Sequence, residues 1–323
     1  MPADQQVSTP AGVARCAQQA ADAFAMGQPV VLACDPSLEG VLAAVGIGYL
    51  AHAHAGQMRL ASKHALQPQL GETALYAPSA QEDDTVAFAR RVLVGFAAKV
   101  ARGCKRQKSG SCSAGCDAAC VSRLVLACAS DDTSMPQTVA EYLRLGFSVG
   151  PRVRTMIANP QVAAFNELAR SVLAECEHTR QFVRFSHMAD GSFAASFSAK
   201  ADTIPLTAAH FAARMSTERF CLVDPRHQVA AFHDPSQKGC QIVRLDAALA
   251  NNLANRQDFA DDEHYVRAMW QRFYHRTTTP GRDKSQRGYD LRTSWMPQRF
   301  WDKLTELEPA HDGMVSVPAR YGA

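Results

Sequence analysis

Nowhere does this sequence hold a run of about 18 apolar residues, so no segment of it reads as a helical membrane span. Its opening, Met1 to Pro10, is polar and lacks the basic-then-apolar layout of a secretion signal. It has no Gly-rich phosphate loop, no nucleophile elbow, no H-E-x-x-H pair and no deaminase zinc signature. Tryptophan is scarce, at three residues in 323. These absences exclude the best-marked enzyme classes and leave a globular, cytoplasmic protein as the expectation.

What is present sharpens that expectation. Hydrophobic residues make up 47% of the chain, enough for a sizeable core and too many for wholesale disorder. The ten cysteines are scattered, with Cys16, Cys34, Cys128, Cys176, Cys221 and Cys240 among apolar neighbours, which favours reduced, buried thiols over a disulfide framework. Net charge is only +3, but it is unevenly spread. From His264 to Lys303 seven Arg and two Lys face three Asp, a local +6, so the rest of the chain sums to −3 (3 minus 6).

Along the chain, residues 1–28 read as a polar, Ala-rich leader with a helix from Ala11 to Phe24. Residues 29–250 read as an α+β body. Within it, Pro29 to Cys34 is a buried strand, followed by a helix that Asp35 caps and Pro36 opens. Gly40, Gly46 and Gly48 in that helix predict close packing against a neighbour. Further helices are expected from Thr85 to Ala101, through about Cys128, from Pro136 towards Gly146, and from Pro160. The last shows an apolar stripe of Val162, Phe165, Leu168, Ala169, Val172 and Cys176. Two hairpins follow: Phe182–Met188 with Phe193–Phe197 around Asp190-Gly191, and Phe220–Val223 with Val229–Phe232 around Asp224-Pro225. A helix from Leu206 to Met215 separates them, and Gln241 to Leu245 adds an edge strand. The expected architecture is a mostly antiparallel sheet of two hairpins packed on several helices. Asn251 to Ala260 reads as a linker, 261–306 as a helical, basic, aromatic module, and 307–323 as a disordered tail.

In that module Asp261-Asp262 cap a helix whose stripe of Tyr265, Val266, Met269, Trp270 and Phe273 is expected to face the core, with Arg267 and Arg272 on its other side. After a break at Thr277 to Gly281, Arg282, Lys284, Arg287, Arg292 and Arg299 interleave with Tyr289, Trp295, Phe300 and Trp301. All three tryptophans fall in this module. Cations neutralise phosphates and release counterions, while aromatic faces stack on unpaired bases. Arg267, Arg287, Arg292, Trp295, Arg299 and Trp301 are therefore the expected nucleic-acid contacts, joined by Arg184 from the body.

At these residues the chain resembles a bacterial family of DNA-metabolism proteins built on a conserved domain of unknown function. The matching pieces are Asp35-Pro36-Ser37-Leu38-Glu39-Gly40, Leu145-Gly146-Phe147-Ser148-Val149-Gly150, Phe182-Val183-Arg184-Phe185, His210-Phe211-Ala212-Ala213-Arg214, Asp224, Tyr265 to Tyr274, and Met296-Pro297-Gln298-Arg299-Phe300-Trp301. They run in order over roughly residues 29 to 306. The resemblance implies DNA repair or modification in company with a radical-SAM partner, and in some members a fused uracil-DNA-glycosylase-like domain. It carries no mechanism, and the Cys-bearing loop from Gly103 to Ser113 departs from the family pattern.

Three other constellations compete for a role. Cys104, Cys112, Cys116 and Cys120 are metal candidates, the last three spaced by four so as to share a helix face, but their first gap of seven residues suits neither structural zinc nor a familiar iron–sulphur loop. No cofactor is expected. Arg184, with His187, either offers a cation from a strand to a phosphate or pairs with Glu175 or Glu177. His210, with Arg214 four residues on and Asp224 on the next strand end, is either an acid–base pair or a polar clamp. The reading that best fits all of this is a DNA-binding accessory protein working on single-stranded or damaged DNA. Its alternatives are an enzyme acting directly on DNA, by base excision or nucleolysis through His210 and Asp224, and a protein–protein adaptor that uses the Trp/Arg surface.

Overall fold

The computed structural model describes residues 9–101, 115–276 and 296–307 of the chain. They form an α+β protein that divides into two units, Met1–Val172 and Leu173–Ala323, with the division falling inside one long helix. Among the described residues no helix is long and apolar enough to cross a membrane. The expected Cys-bearing loop and most of the expected tail lie outside the described residues.

The first unit begins with α1 (Ala11–Ala25) and β1 (Val30–Cys34), whose five residues are all buried. Next come α2 (Leu38–Leu50), β2 (Met58–Ser62), β3 (Thr73–Tyr76), α3 (Asp83–Ala101), α4 (Gly115–Cys128) and α5 (Met135–Val149). The long helix α6 (Pro160–Phe182) contributes its first half. β1 lies between β2 and β3 and runs parallel to both. Parallel neighbours bury a central strand on both faces, which is why β1 is a continuous apolar run.

The helix after β1 starts later than the sequence suggests. Ser37, not Asp35, is its N-cap, accepting from the Gly40 amide at 3.1 Å. Asp35 is instead held by an ion pair with Lys63 and by the Ala80 amide at 2.7 Å. α2 is buried on nearly every side, and its glycines mark the close approaches that were expected: a Cβ at Gly46 would press into the Phe88 ring of α3. The expected leader is itself part of this core, for α1 buries Val13, Cys16 and Ala20.

The second unit starts in the last turns of α6 and continues through β4 (Ser186–His187), β5 (Phe193–Ser196), α7 (Ile204–Arg214), β6 (Phe220–Asp224), β7 (Val229–His233), β8 (Cys240–Arg244), α8 (Ala247–Ala254) and α9 (Glu263–Arg276). A 3-10 segment, Gln298–Lys303, follows, then a single turn at Thr305–Leu307. The five strands form one sheet in chain order. It is mixed: β4–β5, β6–β7 and β7–β8 pair antiparallel, whereas β5 and β6 run parallel, with α7 as their crossover. Successive strand residues alternate faces, so Ala195 and Phe197, Phe220 and Leu222, and Val229 and Ala231 share one buried face with Ile204, Ala208 and Phe211 of α7.

Two expectations about the C-terminal part change. The segment 251–260 is no linker: α8 fills its first half, Ala189 N bonds Asp258 O at 2.8 Å, and Met188 bridges to Phe259. The 3-10 segment, in turn, plugs the sheet core, with Phe300 fully buried and stacked on Phe197 at 6.3 Å.

Candidate nucleic-acid interface

Four arginines of the second unit line one cavity of about 530 Å³: Arg180, Arg184, Arg214 and Arg267, against the single carboxylate of Glu263. Their placement follows from the helices. Arg180 sits in the last turn of α6, and Arg184 follows two residues beyond the helix end, in the extended approach to β4. Arg214 closes α7. Both helix ends carry partial negative charge, which favours cations there. Arg267 comes from the middle of α9 with Trp270, while Phe185 and Phe211 supply apolar wall.

Each guanidinium is fixed differently. Arg184 donates from Nη2 to Glu306 Oε1 at 3.0 Å and from Nη1 to the Gln181 carbonyl at 2.8 Å. The partner is thus Glu306, and not Glu175 or Glu177 as the sequence suggested. The second Glu306 oxygen accepts from Trp270 Nε1 at 3.1 Å, so one buried carboxylate positions both an arginine and a tryptophan of the cavity. Arg267 donates to Glu263 Oε1 at 2.9 Å and to Ser186 Oγ at 2.6 Å, and its guanidinium lies 4.6 Å over the Phe259 ring. Arg180 pairs with the exposed Glu177. Arg214 is exposed and makes no hydrogen bond or ion pair among the described residues.

The aromatic side of α9 differs from expectation. Val266, Met269, Trp270 and Phe273 are not core: Trp270 is 40% and Phe273 57% exposed, and their rings stack at 5.6 Å and 28°. Among its described residues α9 buries Ala268, Gln271 and Glu263. Those polar groups have fixed partners, Gln271 Nε2 donating to the Thr305 carbonyl at 2.9 Å and Glu263 accepting from the His187 amide at 3.0 Å. His187 Nδ1 stands 3.1 Å from Asp262, so this histidine ties β4 to the start of α9.

Of the other expected contacts, Arg299 is taken up by Glu175, with Nε donating to Oε1 at 2.9 Å, and lies over Phe300. Trp301 donates to the Met296 carbonyl at 3.0 Å. Both secure the 3-10 segment rather than line the cavity. Arg287, Arg292 and Trp295 lie outside the described residues. Sequence reasoning missed Arg180 and read Arg214 only as a neighbour of His210; the signal available for both was a basic residue in a helix's last turn.

His210 and Asp224 are not brought together. Asp224, fully buried at the end of β6, is met by His227 Nδ1 at 2.7 Å and the Arg226 amide at 3.0 Å, while exposed His210 turns its ring edge-on to Phe211. A histidine three residues along the tight β6–β7 turn reaches the carboxylate that the helix-borne one does not. Near it, burial and the neighbouring Asp224 raise the pKa of Asp202 above its ordinary 3.8, against the pull of Arg244 and His227. Cys104 and Cys112 lie outside the described residues, Cys116 falls on α4, and Cys120 is buried in the first unit's core. Among the described residues no group of three or more His, Cys, Asp or Glu is placed to hold a metal ion.

Residues 133–306, more than half of the chain, match the family model described as a domain of unknown function, DUF4130, and the chain belongs to that family. No curated protein matches it. Among solved structures it is similar to exonuclease RecJ bound to manganese, at 10% identity over 76% of this chain and 95% of that one, with a TM-score of 0.33. It is also similar to RecJ from Thermus thermophilus in complex with Mn2+, at 11% identity over 80% of this chain and 57% of that one, with a TM-score of 0.31. Scores of this size do not establish a common fold.

Proposed function

We propose that this DUF4130 protein is a DNA-binding accessory protein of DNA repair or modification, and that its second unit takes single-stranded or damaged DNA along the wall built by Arg180, Arg184, Arg214 and Arg267. The observation that carries this reading is the convergence of four arginines and the half-exposed Trp270 on one cavity of about 530 Å³. Phosphodiesters carry the negative charge that a wall of four cations attracts, most directly at Arg214, unpaired among the described residues, and an unpaired base supplies a flat apolar face for Trp270. Duplex DNA hides its base faces in the stack, so an exposed indole beside arginines suits unpaired strands. Arg287, Arg292 and Trp295 add cations and an aromatic from the same module by sequence.

The accessory role, with a radical-SAM partner, is proposed on the family resemblance. The test is titration of the purified protein with single- and double-stranded oligonucleotides at low salt. Salt-dependent binding that favours the single strand, and that weakens in Arg214→Ala, supports the reading. Absence of binding to either sinks it.

A further inference from the structure

Arg184 and Arg267 line a second cavity as well, of about 280 Å³. Its lining adds Arg256, Lys303 and the hydroxyls of Ser186 on β4 and Ser196 on β5. Among the described residues of the lining, four cations thus face a single carboxylate, Asp302. The cavity is backed by Met188, Ala194 and Ala195, and it has about half the volume of its neighbour. Ser186 Oγ accepts from Arg267, which orients the serine's own O–H away from that guanidinium. Arg184 keeps Nε buried without a hydrogen-bond partner, an N–H donor left over after its two Nη groups are spoken for. Lys303 is exposed and makes no ion pair among the described residues. Arg256 is anchored by Asp258 at 2.6 Å and Asp190 at 3.3 Å, and the first of these carboxylates does most to raise its pKa further.

The arginines, the lysine and the hydroxyls give this lining an excess of positive donors over its one carboxylate, and a phosphate offers acceptors. A phosphodiester within a strand carries one charge on two free oxygens. A phosphomonoester carries close to two charges on three free oxygens.

We infer that the smaller cavity is a phosphomonoester subsite, which receives the terminal phosphate of a DNA strand whose body lies along the larger cavity, with Arg184 and Arg267 shared between the two. Its strand context rests on the DNA-binding reading above; its affinity for a phosphomonoester does not.

Oligothymidine ending in 5′-phosphate, 3′-phosphate or hydroxyls only, titrated by fluorescence anisotropy, tests the inference alongside calorimetry with thymidine monophosphate and with thymidine. In the wild-type protein one phosphorylated end is expected to bind about tenfold more tightly than the hydroxyl-ended strand, the scale of a few charge-assisted hydrogen bonds. Lys303→Gln and, separately, Arg256→Gln are expected to reduce that preference to about twofold or less. Lys303 is exposed, so its replacement does not endanger folding. Binding of thymidine monophosphate but not thymidine, without any end preference, supports the subsite and assigns the phosphate to a free nucleotide. If no strand binds but the monophosphate does, the DNA reading falls and the subsite stands. If strands bind regardless of their ends and the monophosphate does not bind, the subsite is overturned and the DNA reading stands.

Discussion

Arg184 and Glu306, 122 residues apart in the chain, meet at 3.0 Å, and the other oxygen of the same carboxylate takes the Trp270 indole at 3.1 Å. This three-way contact joins the end of α6, the middle of α9 and the final turn at Thr305–Leu307, and it sets the geometry of the arginine cavity. Glu306 is buried, so removing its charge leaves Arg184 and Trp270 without their shared acceptor. Glu306→Ala is expected to destabilise the second unit by about 2 kcal/mol, below the full cost for a buried pair because Arg184 is partly exposed. Urea denaturation checks this; an unchanged midpoint would mean that the contact does not hold the cavity together.

Phe300 tests whether the C-terminal segment belongs to the sheet core. It packs on Phe197 at 6.3 Å and on Phe182 at 5.8 Å and is almost wholly buried. Phe300→Ala is expected to cost about 3 kcal/mol or more. Trp301→Phe, at a half-buried neighbour that loses only one hydrogen bond to Met296, is expected to cost about 1 kcal/mol. Equal effects in the two variants would contradict the plugged core.

Thiol reactivity follows from burial. Desolvation pushes Cys16, Cys176 and Cys221 up to about 11, so the thiolate that reacts with alkylating agents is scarce at neutral pH. In the native protein these three are expected to stay unmodified by iodoacetamide over a time in which urea-unfolded protein is fully labelled. Residue-resolved mass spectrometry reads the outcome, and rapid native labelling of Cys176 would show that α6 is less buried than described.

Asp202 gives a pH-dependent prediction. Its folded pKa is raised, so the folded state holds its proton more tightly than the unfolded chain does. Stability contributed by this residue therefore rises as pH falls through the window between its raised value and the ordinary 3.8, and is lost above that window. Asp202→Asn removes the charge, so its stability relative to wild type is expected to be higher at pH 7 than at pH 4. Thermal unfolding at the two pH values measures the difference. A relative stability that moves the other way would mean the Arg244 pair outweighs burial.

Much of this fold was legible in the sequence where periodicity is long and one-sided. All six stripe residues of α6, from Val162 to Cys176, are buried, and the apolar run of β1 is a buried strand. The parallel sheet was not legible. β2, Met-Arg-Leu-Ala-Ser, and β3, Thr-Ala-Leu-Tyr, are too short to show a period. In β2, Arg59 looks out of place until its bidentate bonds to Glu72, at 2.7 and 2.6 Å, are seen. Pairings of that range leave no local mark. α9 was misread for a related reason. Its apolar stripe is real, but the helix buries the polar Glu263 and Gln271 because partners on β4 and at Thr305 wait for them. Hydrophobic spacing says which residues share a side, not which side the tertiary structure covers. That misreading hid Trp270 and thereby the cavity, while Arg299 and Trp301, expected at the interface, turned out to secure the segment beneath it.

The indole itself can be tested apart from its hydrogen bond. Trp270→Phe keeps a ring for stacking but loses the donor to Glu306, whereas Trp270→Ala loses both. Affinity for single-stranded DNA is expected to fall by about 1–3 kcal/mol in the alanine variant and by much less in the phenylalanine variant. Equal losses would place the role of Trp270 in structure and not in stacking.

The salt dependence of single-strand binding tests the central claim most directly, compared between wild type and the Arg180→Ala, Arg214→Ala double variant. Neither substitution removes a buried group's only partner, because Arg180 pairs with exposed Glu177 and Arg214 makes no ion pair among the described residues. The account predicts a linear fall of log affinity with log salt in the wild type, and a slope shallower by about 0.7 for each phosphate contact removed in the variant. A wild-type affinity that ignores salt, or a double variant with unchanged slope and affinity, would contradict the assignment of this wall to DNA.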